Sequence, residues 1–439
     1  MRILLISYYF PPYNAVGALR TGKTVKYLAA LGHDLRVVTA AEPPGLDASL
    51  PVEIPESQVV RVRWATADRL VARLLARRRS AAGVGNLTLT GATNALISRA
   101  GAIFRTLAHF PDETAPGLLS AYRAASALVR AWRPDVIVAS ASPVTTLLLA
   151  HLLGRRFGIP WVGELRDLWT ENHAYPYPAI RRYLEAALER RVLHSAAGLV
   201  TVSEPLARRL SIRGRPTRVV LNGFDPADHP VDAQPGRSPM LRIVYTGHVF
   251  GARQDATPLV EAVQLLGERS PNVEVVFYGR FLGIALQKAM HRAAELGVAG
   301  SFRIEQPVPH REALRIQRQA DVLLLLTWND PANPGVYTGK LFEYIGARRP
   351  ILAVGRGGTV ADALVRERAL GACLTDARAI ADQLARWLDQ KCAAGVIPSV
   401  PADNTVDLTR EAQTRELAGF LSECIASSAS HADSASLTR

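Results

Sequence analysis

Short, continuous apolar segments recur along the 439-residue chain, and a helix-like segment follows each of them. Residues 2–7 (RILLIS), 134–140 (PDVIVAS) and 159–165 (IPWVGEL) are examples in which apolar residues dominate without strict alternation. Such segments favour strands that are buried on both faces. Because strands that alternate with helices form parallel sheets covered by helices, the sequence predicts an α/β fold.

One segment interrupts this alternation. Residues 226–239 (PADHPVDAQPGRSP) are rich in proline and polar residues, which is typical of a linker. We therefore predict a first domain over 1–230 and a second over 240–400, with the active site in the cleft that the strand ends face. A helix over 405–425 is predicted to pack back on the first domain. The small polar residues 427–439 predict a disordered tail.

Composition excludes several classes of protein. The three cysteines, Cys373, Cys392 and Cys424, have no paired spacing that would indicate a disulfide framework or a zinc site, so a reducing cytoplasm is expected. The start, MRILLISYYFPP, has one basic residue and two early prolines, which argues against a secretory signal. A long segment without charged residues, 136–154, contains serines, threonines and a proline. It predicts a strand, a turn and a buried helix rather than a membrane span.

A formal net charge of +13 favours anionic partners such as nucleotides, lipid headgroups or nucleic acids. Two helix-like segments, 68–80 (DRLVARLLARRRS) and 181–191 (RRYLEAALERR), carry basic faces. These faces are either solvated surfaces or sites that dock on an anionic membrane. No aromatic residues are interleaved with the first cluster, as a nucleic-acid platform would require, and no nucleic-acid partner is predicted.

Residues 333–352 (NPGVYTGKLFEYIGARRPIL) predict a loop that leads into a short helix. Gly335 and Gly339 would let backbone amides approach a phosphate, and Lys340 would add a positive charge at the helix N-terminus. Glu343 lies one turn further on, where its carboxylate could accept hydrogen bonds from the hydroxyl groups of a ribose. A phosphate site beside a ribose site indicates a nucleotide. The alternative is that the glycines shape the loop, Lys340 is solvated and Glu343 caps the helix. This segment alone leaves both interpretations open.

Several motifs occur in one order over residues 1 to about 360, and together they resemble the retaining glycosyltransferases of family 4, which have the GT-B fold. The resemblance is closest to bacterial members that build surface polysaccharides and related glycans. The motifs are YYFPPYNAVGALRTGKTVKYLAALGHDLRVVT, ASASPVTTLLLAHLL, GIPWVGELRDLW, TVSEPLARRL, VVLNGFDP, IVYTGHVFGARQDATPLVEAV and YTGKLFEYIGARRPILAVG. The resemblance implies two Rossmann-like parallel-sheet domains that face each other across a cleft. It also implies hexosyl transfer from a nucleotide sugar, most plausibly a UDP-sugar, without a metal ion or other cofactor.

The resemblance also assigns donor contacts. It places the backbone of Gly17 against the donor diphosphate. His248 and Arg253 stand where family members usually carry an arginine and a lysine on the donor phosphates. Gly335 replaces a glutamate that usually contacts the sugar, so backbone groups are expected to substitute for it. The predicted donor-binding residues are Gly17, His248, Gly335, Val336, Tyr337, Thr338, Gly339 and Glu343.

For catalysis, Arg253 and Lys340 are expected to neutralise the departing nucleoside diphosphate while the acceptor hydroxyl attacks from the same face. Glu164 and Asp167 in GELRDLW are expected to orient or deprotonate that hydroxyl, with Arg166 holding one of them. A purely structural pair of Arg166 and Asp167 is the alternative. No Ser–His–Asp arrangement or metal-ligand spacing is present in the sequence.

Three functions remain open at this point. The leading hypothesis is transfer of a sugar to a carbohydrate, lipid-linked or small-molecule acceptor, in the cytoplasm or at the inner face of the membrane. A nucleotide-sugar epimerase of the same fold would bind the donor but need no acceptor. A catalytically degenerate relative would bind nucleotide or an anionic membrane surface without turnover, and the departures at Gly335 and His248 motivate this third hypothesis.

Overall fold

The computed structural model describes residues 1–71, 106, 108–172, 175–211, 214–230, 232–249, 254–279, 283–328, 335 and 337–437. The chain divides into two compact units, the first comprising Met1–Val220 with Thr414–Arg439 and the second Leu221–Gln413. The boundary therefore precedes the segment that the sequence predicts as a linker. The physical reason is apolar burial, because Phe224 packs in a core of the second unit.

The strands of the first unit are β1 (Arg2–Ser7), β2 (Asp34–Ala40), β3 (Val59–Val62), β4 (Val136–Ala141), β5 (Trp161–Leu165), β6 (Gly198–Thr201) and β7 (Thr217–Val219). They form one parallel sheet in the order β3-β2-β1-β4-β5-β6-β7. Successive residues of a strand point to opposite faces, so Leu4 and Ile6 enter one core while Ile3 and Leu5 enter the other. Because β1 pairs with both β2 and β4, the ends of β1 and β4 form a topological switch point, where ligands bind in α/β sheets.

Helices cover both faces of this sheet. The helices are α1 (Val16–Ala30), α2 (Leu118–Trp132), α3 (Thr145–Phe157), α4 (Ala179–His194) and α5 (Glu204–Ser211). Helices α2, α3 and α4 contribute Ala125, Leu149 and Leu193 to one core. Helix α1 contributes Val25 to the core on the opposite face.

The second unit repeats the same architecture. Its strands are β8 (Leu241–Thr246), β9 (Val273–Tyr278), β10 (Phe302–Glu305), β11 (Val322–Leu326), β12 (Ile351–Val354) and β13 (Gly371–Leu374), in the parallel order β10-β9-β8-β11-β12-β13. Its helices are α6 (Thr257–Leu265), α7 (Gly283–Glu295), α8 (His310–Gln319), α9 (Gly339–Ala347), α10 (Val360–Glu367) and α11 (Ala377–Ala394). The switch point of this sheet lies between β8 and β11.

A long C-terminal helix, α12 (Arg410–Leu437), belongs to the first unit from Thr414 onwards. Phe420 and Cys424 pack against Gly198 of β6, where an added Cβ would lie 2.6 Å from either side chain, so this contact requires glycine. The disordered tail predicted from residue 427 is not observed, because the helix continues to Leu437. A helix that is already fixed by packing extends without a new nucleation step, and alanine favours the extension.

The predicted α/β class, with two parallel sheets, is confirmed. The sequence analysis missed two strands, β3 and β13, which both lie at sheet edges and have only four residues each. Among the described residues, no helix has both the length and the apolar character needed to cross a lipid bilayer.

Candidate functional site

Helix α9 begins after β11, at the switch point of the second unit. Its N-cap residue, Thr338, is extended and forms no side-chain capping bond, so Thr338 leaves the first backbone amides of the helix uncapped. The Oγ1 atom of Thr338 is buried and has no hydrogen-bond partner among the residues that the structure describes. Tyr337 packs edge-on against Phe342, with ring centroids 5.6 Å apart, and fixes the entry of the chain into the helix. An uncapped helix N-terminus of this kind attracts anions.

Lys340 lies in the first turn of α9 and reaches back to the end of β8. Its Nζ contacts the hydroxyl of Tyr245, donates to the carbonyl oxygen of His248 at 3.3 Å and lies 3.7 Å from the centroid of the Tyr245 ring. The Tyr245 hydroxyl also donates to the His248 carbonyl at 2.6 Å. Burial lowers the pKa of Lys340 to about 7, although the charge of Glu343 opposes this shift. Its hydrogen-bond partners within the described residues are neutral groups.

Glu343 is already engaged by two side chains of α8. One carboxylate oxygen lies 3.1 Å from His310 Nε2, and the other accepts a hydrogen bond of 3.1 Å from Gln317 Nε2. Gln317 Nε2 also lies 2.9 Å from Thr246 Oγ1 at the end of β8. Burial would raise the pKa of Glu343, but the hydrogen bond to His310 and that from Gln317 outweigh it and hold the pKa below its usual value. Glu343 is therefore an ionised acceptor whose orientation is fixed.

The structure describes only some of the other predicted donor-binding residues. Arg253 and Val336 lie outside the described residues. His248 contributes its carbonyl oxygen to Lys340, while the residue itself is exposed at the end of β8. Gly335 is buried, and Gly339 is the first residue of α9.

In the first unit, Glu164 lies in β5 beside the end of β4. It is 4% exposed and accepts hydrogen bonds from Arg20 Nε at 2.8 Å and from Ser140 Oγ at 2.6 Å. Burial opposes ionisation, but Arg20, Arg166 and Ser140 outweigh it and hold the pKa of Glu164 below its usual value. A carboxylate with both oxygens occupied and a lowered pKa is a poor proton acceptor. Of the two predicted roles of Glu164, this arrangement therefore suits orienting the acceptor hydroxyl better than deprotonating it.

Arg166 follows β5 and donates from Nε and Nη2 to the carbonyl oxygen of Ala141, at 3.0 and 2.9 Å. Its guanidinium lies against Gly17, where an added Cβ would be 2.7 Å from Nη1, so a side chain at this position would displace the arginine. Gly17 is in the first turn of α1, whose N-cap has no side-chain bond. Asp167 is exposed. The hydrogen bonds of Arg166 to Ala141 leave the alternative of an Arg166–Asp167 pair open, because the charge of Asp167 still acts on the Arg166 guanidinium and opposes the lowering of its pKa by burial.

Sequence reasoning missed the partners that define both clusters, namely Arg20, Tyr245, His310 and Gln317. Arg20 and Glu164 are separated by 144 positions, and no short motif links them. The sequence did contain a signal for His310 and Gln317 on α8. Residues seven positions apart share a helix face, and this face also carries the buried Leu314.

Part of the chain matches a known family of protein domains. Residues 17–223 match the model of the Glycosyl transferase 4-like domain. No curated protein matches the sequence significantly.

Solved structures resemble the whole chain at low sequence identity. Sucrose-phosphate synthase from Thermosynechococcus elongatus has a TM-score of 0.61 and 15% identity and covers 97% of this chain and 100% of its own. A glycosyltransferase from Rickettsia africae has a TM-score of 0.61 and 12% identity, with coverage of 97% and 98%. HepE from Anabaena, solved with UDP-glucose, has a TM-score of 0.58 and 13% identity, with coverage of 96% and 100%. These structures share the fold of the chain.

Proposed function

Since the chain is a glycosyltransferase with the GT-B fold and a glycosyl transferase 4-like domain, we propose that it transfers a sugar from a UDP-sugar to an acceptor hydroxyl with retention of configuration. HepE was solved with UDP-glucose, and TarM from S. aureus was solved with UDP, which favours a uridine nucleotide among the candidate donors. In this proposal the second unit binds the donor and the first unit binds the acceptor.

The observation that carries the proposal is the surrounding of Lys340. Its ammonium group contacts the neutral Tyr245 hydroxyl and His248 carbonyl, and burial lowers its pKa to about 7. A diphosphate near the uncapped N-terminus of α9 would supply a negative charge in direct contact with this group, in addition to the more distant charge of Glu343. As the bond to the sugar breaks, negative charge grows on the leaving phosphate, and Lys340 and the amides of α9 stabilise it more strongly than in the ground state.

Other residues have supporting roles in this mechanism. Thr338 offers to the same phosphate a hydroxyl that has no partner among the described residues. Glu343, ionised and held by His310 and Gln317, is assigned to accept hydrogen bonds from the ribose hydroxyl groups. Asp167 is the exposed carboxylate that we assign to the acceptor hydroxyl, because Glu164 is enclosed by Arg20 and Ser140. We propose that the reaction needs no metal ion.

We assign the reaction to the assembly of surface polysaccharides or related glycans, in the cytoplasm at the inner face of the membrane. This assignment rests on the resemblance of the sequence motifs.

The donor half of the proposal is tested by thermal unfolding with UDP, GDP, dTDP and ADP, because only a ligand that binds the folded state raises the Tm. UDP at about 100 times its Kd contributes about 2.7 kcal/mol, which is expected to raise the Tm by about 5–10 °C. Lys340→Ala should abolish this shift, and Lys288→Ala, at an exposed lysine of α7, should preserve it. A full UDP response in Lys340→Ala would refute the assigned site.

The transfer half is tested by release of UDP from a UDP-sugar. A transferase releases UDP only when an acceptor is present, whereas an epimerase changes the sugar without an acceptor and without releasing UDP. Lys340→Ala is expected to lower the rate by about 10²–10³-fold, the usual effect of losing one preorganised electrostatic group. Binding of UDP without any turnover would instead identify a degenerate relative.

A further inference from the structure

Helix α4 exposes three large apolar side chains on one side. Ile180, Tyr183 and Leu184 are 76%, 73% and 55% exposed. They occupy positions i, i+3 and i+4, which are neighbours on a helix surface. Single exposed apolar residues are normal on a protein, but a contiguous apolar patch marks a site of interaction.

The charges of α4 are sorted between its two sides. Arg182, Arg190 and Arg191 are exposed, whereas both glutamates of the helix, Glu185 and Glu189, are 1% exposed. The exposed charged residues of this helix are therefore basic. A solvated helix surface that had no partner would be expected to mix both signs.

The inward side of α4 explains this sorting. Glu185 accepts a hydrogen bond of 2.5 Å from Arg181 Nε, and Trp169 Nε1 donates to its other oxygen at 3.2 Å. Glu189 accepts from the hydroxyl of Thr170. Arg181 is only 3% exposed, so the prediction that it belongs to a basic surface is wrong. The remaining arginines and the apolar residues are left to the outer side.

We propose that this α4 surface, formed by Ile180, Tyr183, Leu184, Arg190 and Arg191, docks the protein on a membrane that contains anionic lipids. Arg182 lies outside this surface and stacks over the ring of Tyr175, 4.9 Å from its centroid. The helix has 16 residues and would lie along the membrane plane for about 24 Å. Its apolar side chains would enter the boundary between headgroups and acyl chains, and its arginines would pair with lipid phosphates. A cationic, apolar surface on one helix is complementary to an anionic bilayer, and the proposal does not depend on the sugar chemistry.

The test is co-sedimentation of the full-length protein with vesicles of phosphatidylcholine that contain about 30 mol % phosphatidylglycerol, compared with vesicles of phosphatidylcholine alone. The wild type should bind the anionic vesicles, and binding should weaken as salt is added because the lipid charges are screened. Replacing Arg190 and Arg191 by glutamine should weaken binding about 30-fold. Ile180→Ser with Leu184→Ser should weaken it at least tenfold while leaving the Tm within about 2 °C, since both side chains are exposed.

A matched control removes two positive charges elsewhere, by replacing Lys288 and Arg386 of the second unit with glutamine. This variant has the same net charge as the arginine variant of α4 and should retain vesicle binding to within about threefold. Equal losses in the two variants would mean that total charge rather than this surface governs binding, and the proposal would be overturned. Failure of the wild type to bind anionic vesicles, or equal binding to both kinds of vesicle, would overturn it as well.

Discussion

Glu164 in the first unit and Lys340 in the second are both charged side chains that the fold takes partly out of water, but their surroundings differ. Glu164 meets a full positive charge on Arg20 and a hydroxyl donor on Ser140. Lys340 meets the hydroxyl of Tyr245 and the carbonyl of His248, and forms no ion pair within the described part of the chain. As a result, the charged form of Glu164 is favoured and the charged form of Lys340 is disfavoured.

This difference separates a structural charge from a binding charge. A compensated ion pair has little attraction left for a ligand, and its role is to hold the ends of strands in place. A buried cation that lacks a counter-charge is costly in the free protein, and an anionic ligand offsets that cost. We therefore expect substitutions in the first cluster to change stability and substitutions in the second to change ligand affinity.

The largest effect is expected for Arg20→Ala, which leaves the carboxylate of Glu164 buried without its counter-charge. Removing one partner of a buried ion pair typically costs about 3–5 kcal/mol, and urea-induced unfolding of the first unit measures that loss. Arg218→Ala is the control, because Arg218 pairs with Glu423 at the surface, with 38% and 60% of their side chains exposed, and such a pair contributes about 0–1 kcal/mol.

The double variant Arg20→Met with Glu164→Gln removes both charges and should recover part of the lost stability. If Arg20→Ala were no more damaging than Arg218→Ala, the view of the first cluster as a compensated structural pair would be refuted.

The next effect concerns pH. The pKa of Lys340 is about 7 in the free protein, so its ammonium group is present below that pH and is lost above it. A bound diphosphate favours the charged form and raises this pKa. The affinity for UDP should therefore be greatest below pH 7 and fall by up to about tenfold per pH unit above it. Calorimetric titration between about pH 6.5 and 8.5 measures this dependence.

Lys340→Arg sharpens this experiment, because arginine stays charged throughout the range. The variant should bind UDP with a flat pH profile. A pH profile as steep as that of the wild type would show that another group titrates. It would contradict the assignment of the pH dependence to Lys340.

The smallest effect is expected for Tyr245→Phe, which keeps the aromatic ring under Lys340 but removes the hydroxyl that contacts both Nζ and the His248 carbonyl. Loss of one such hydrogen bond costs about 1 kcal/mol, so the Kd for UDP should rise about fivefold. The pH at which binding weakens should also shift, since the surroundings of Nζ change. Tyr278→Phe, at a partly buried tyrosine of β9, provides the control.

Much of the fold could be predicted from the sequence. Continuous apolar segments and the helices between them give the order of elements and the parallel sheets, because a strand buried on both faces cannot carry polar alternation. The edge strands β3 and β13 were not predicted from the sequence, because a strand with one neighbour needs fewer apolar residues. Residues after 427 form a helix because α12 is anchored by Phe420 and Cys424, which no local composition reveals.

Of the candidate site, the sequence by itself determined which residues could carry charge, namely Lys340, Glu343, Glu164 and Arg166, and that Lys340 and Glu343 share one short helix. Only the tertiary structure decided which of these charges is compensated. Arg20 reaches Glu164 across 144 positions, and Tyr245 meets Lys340 across 95. The electrostatic energy of a charge depends on its distance to other charges and on its burial, and neither quantity exists until the chain has folded.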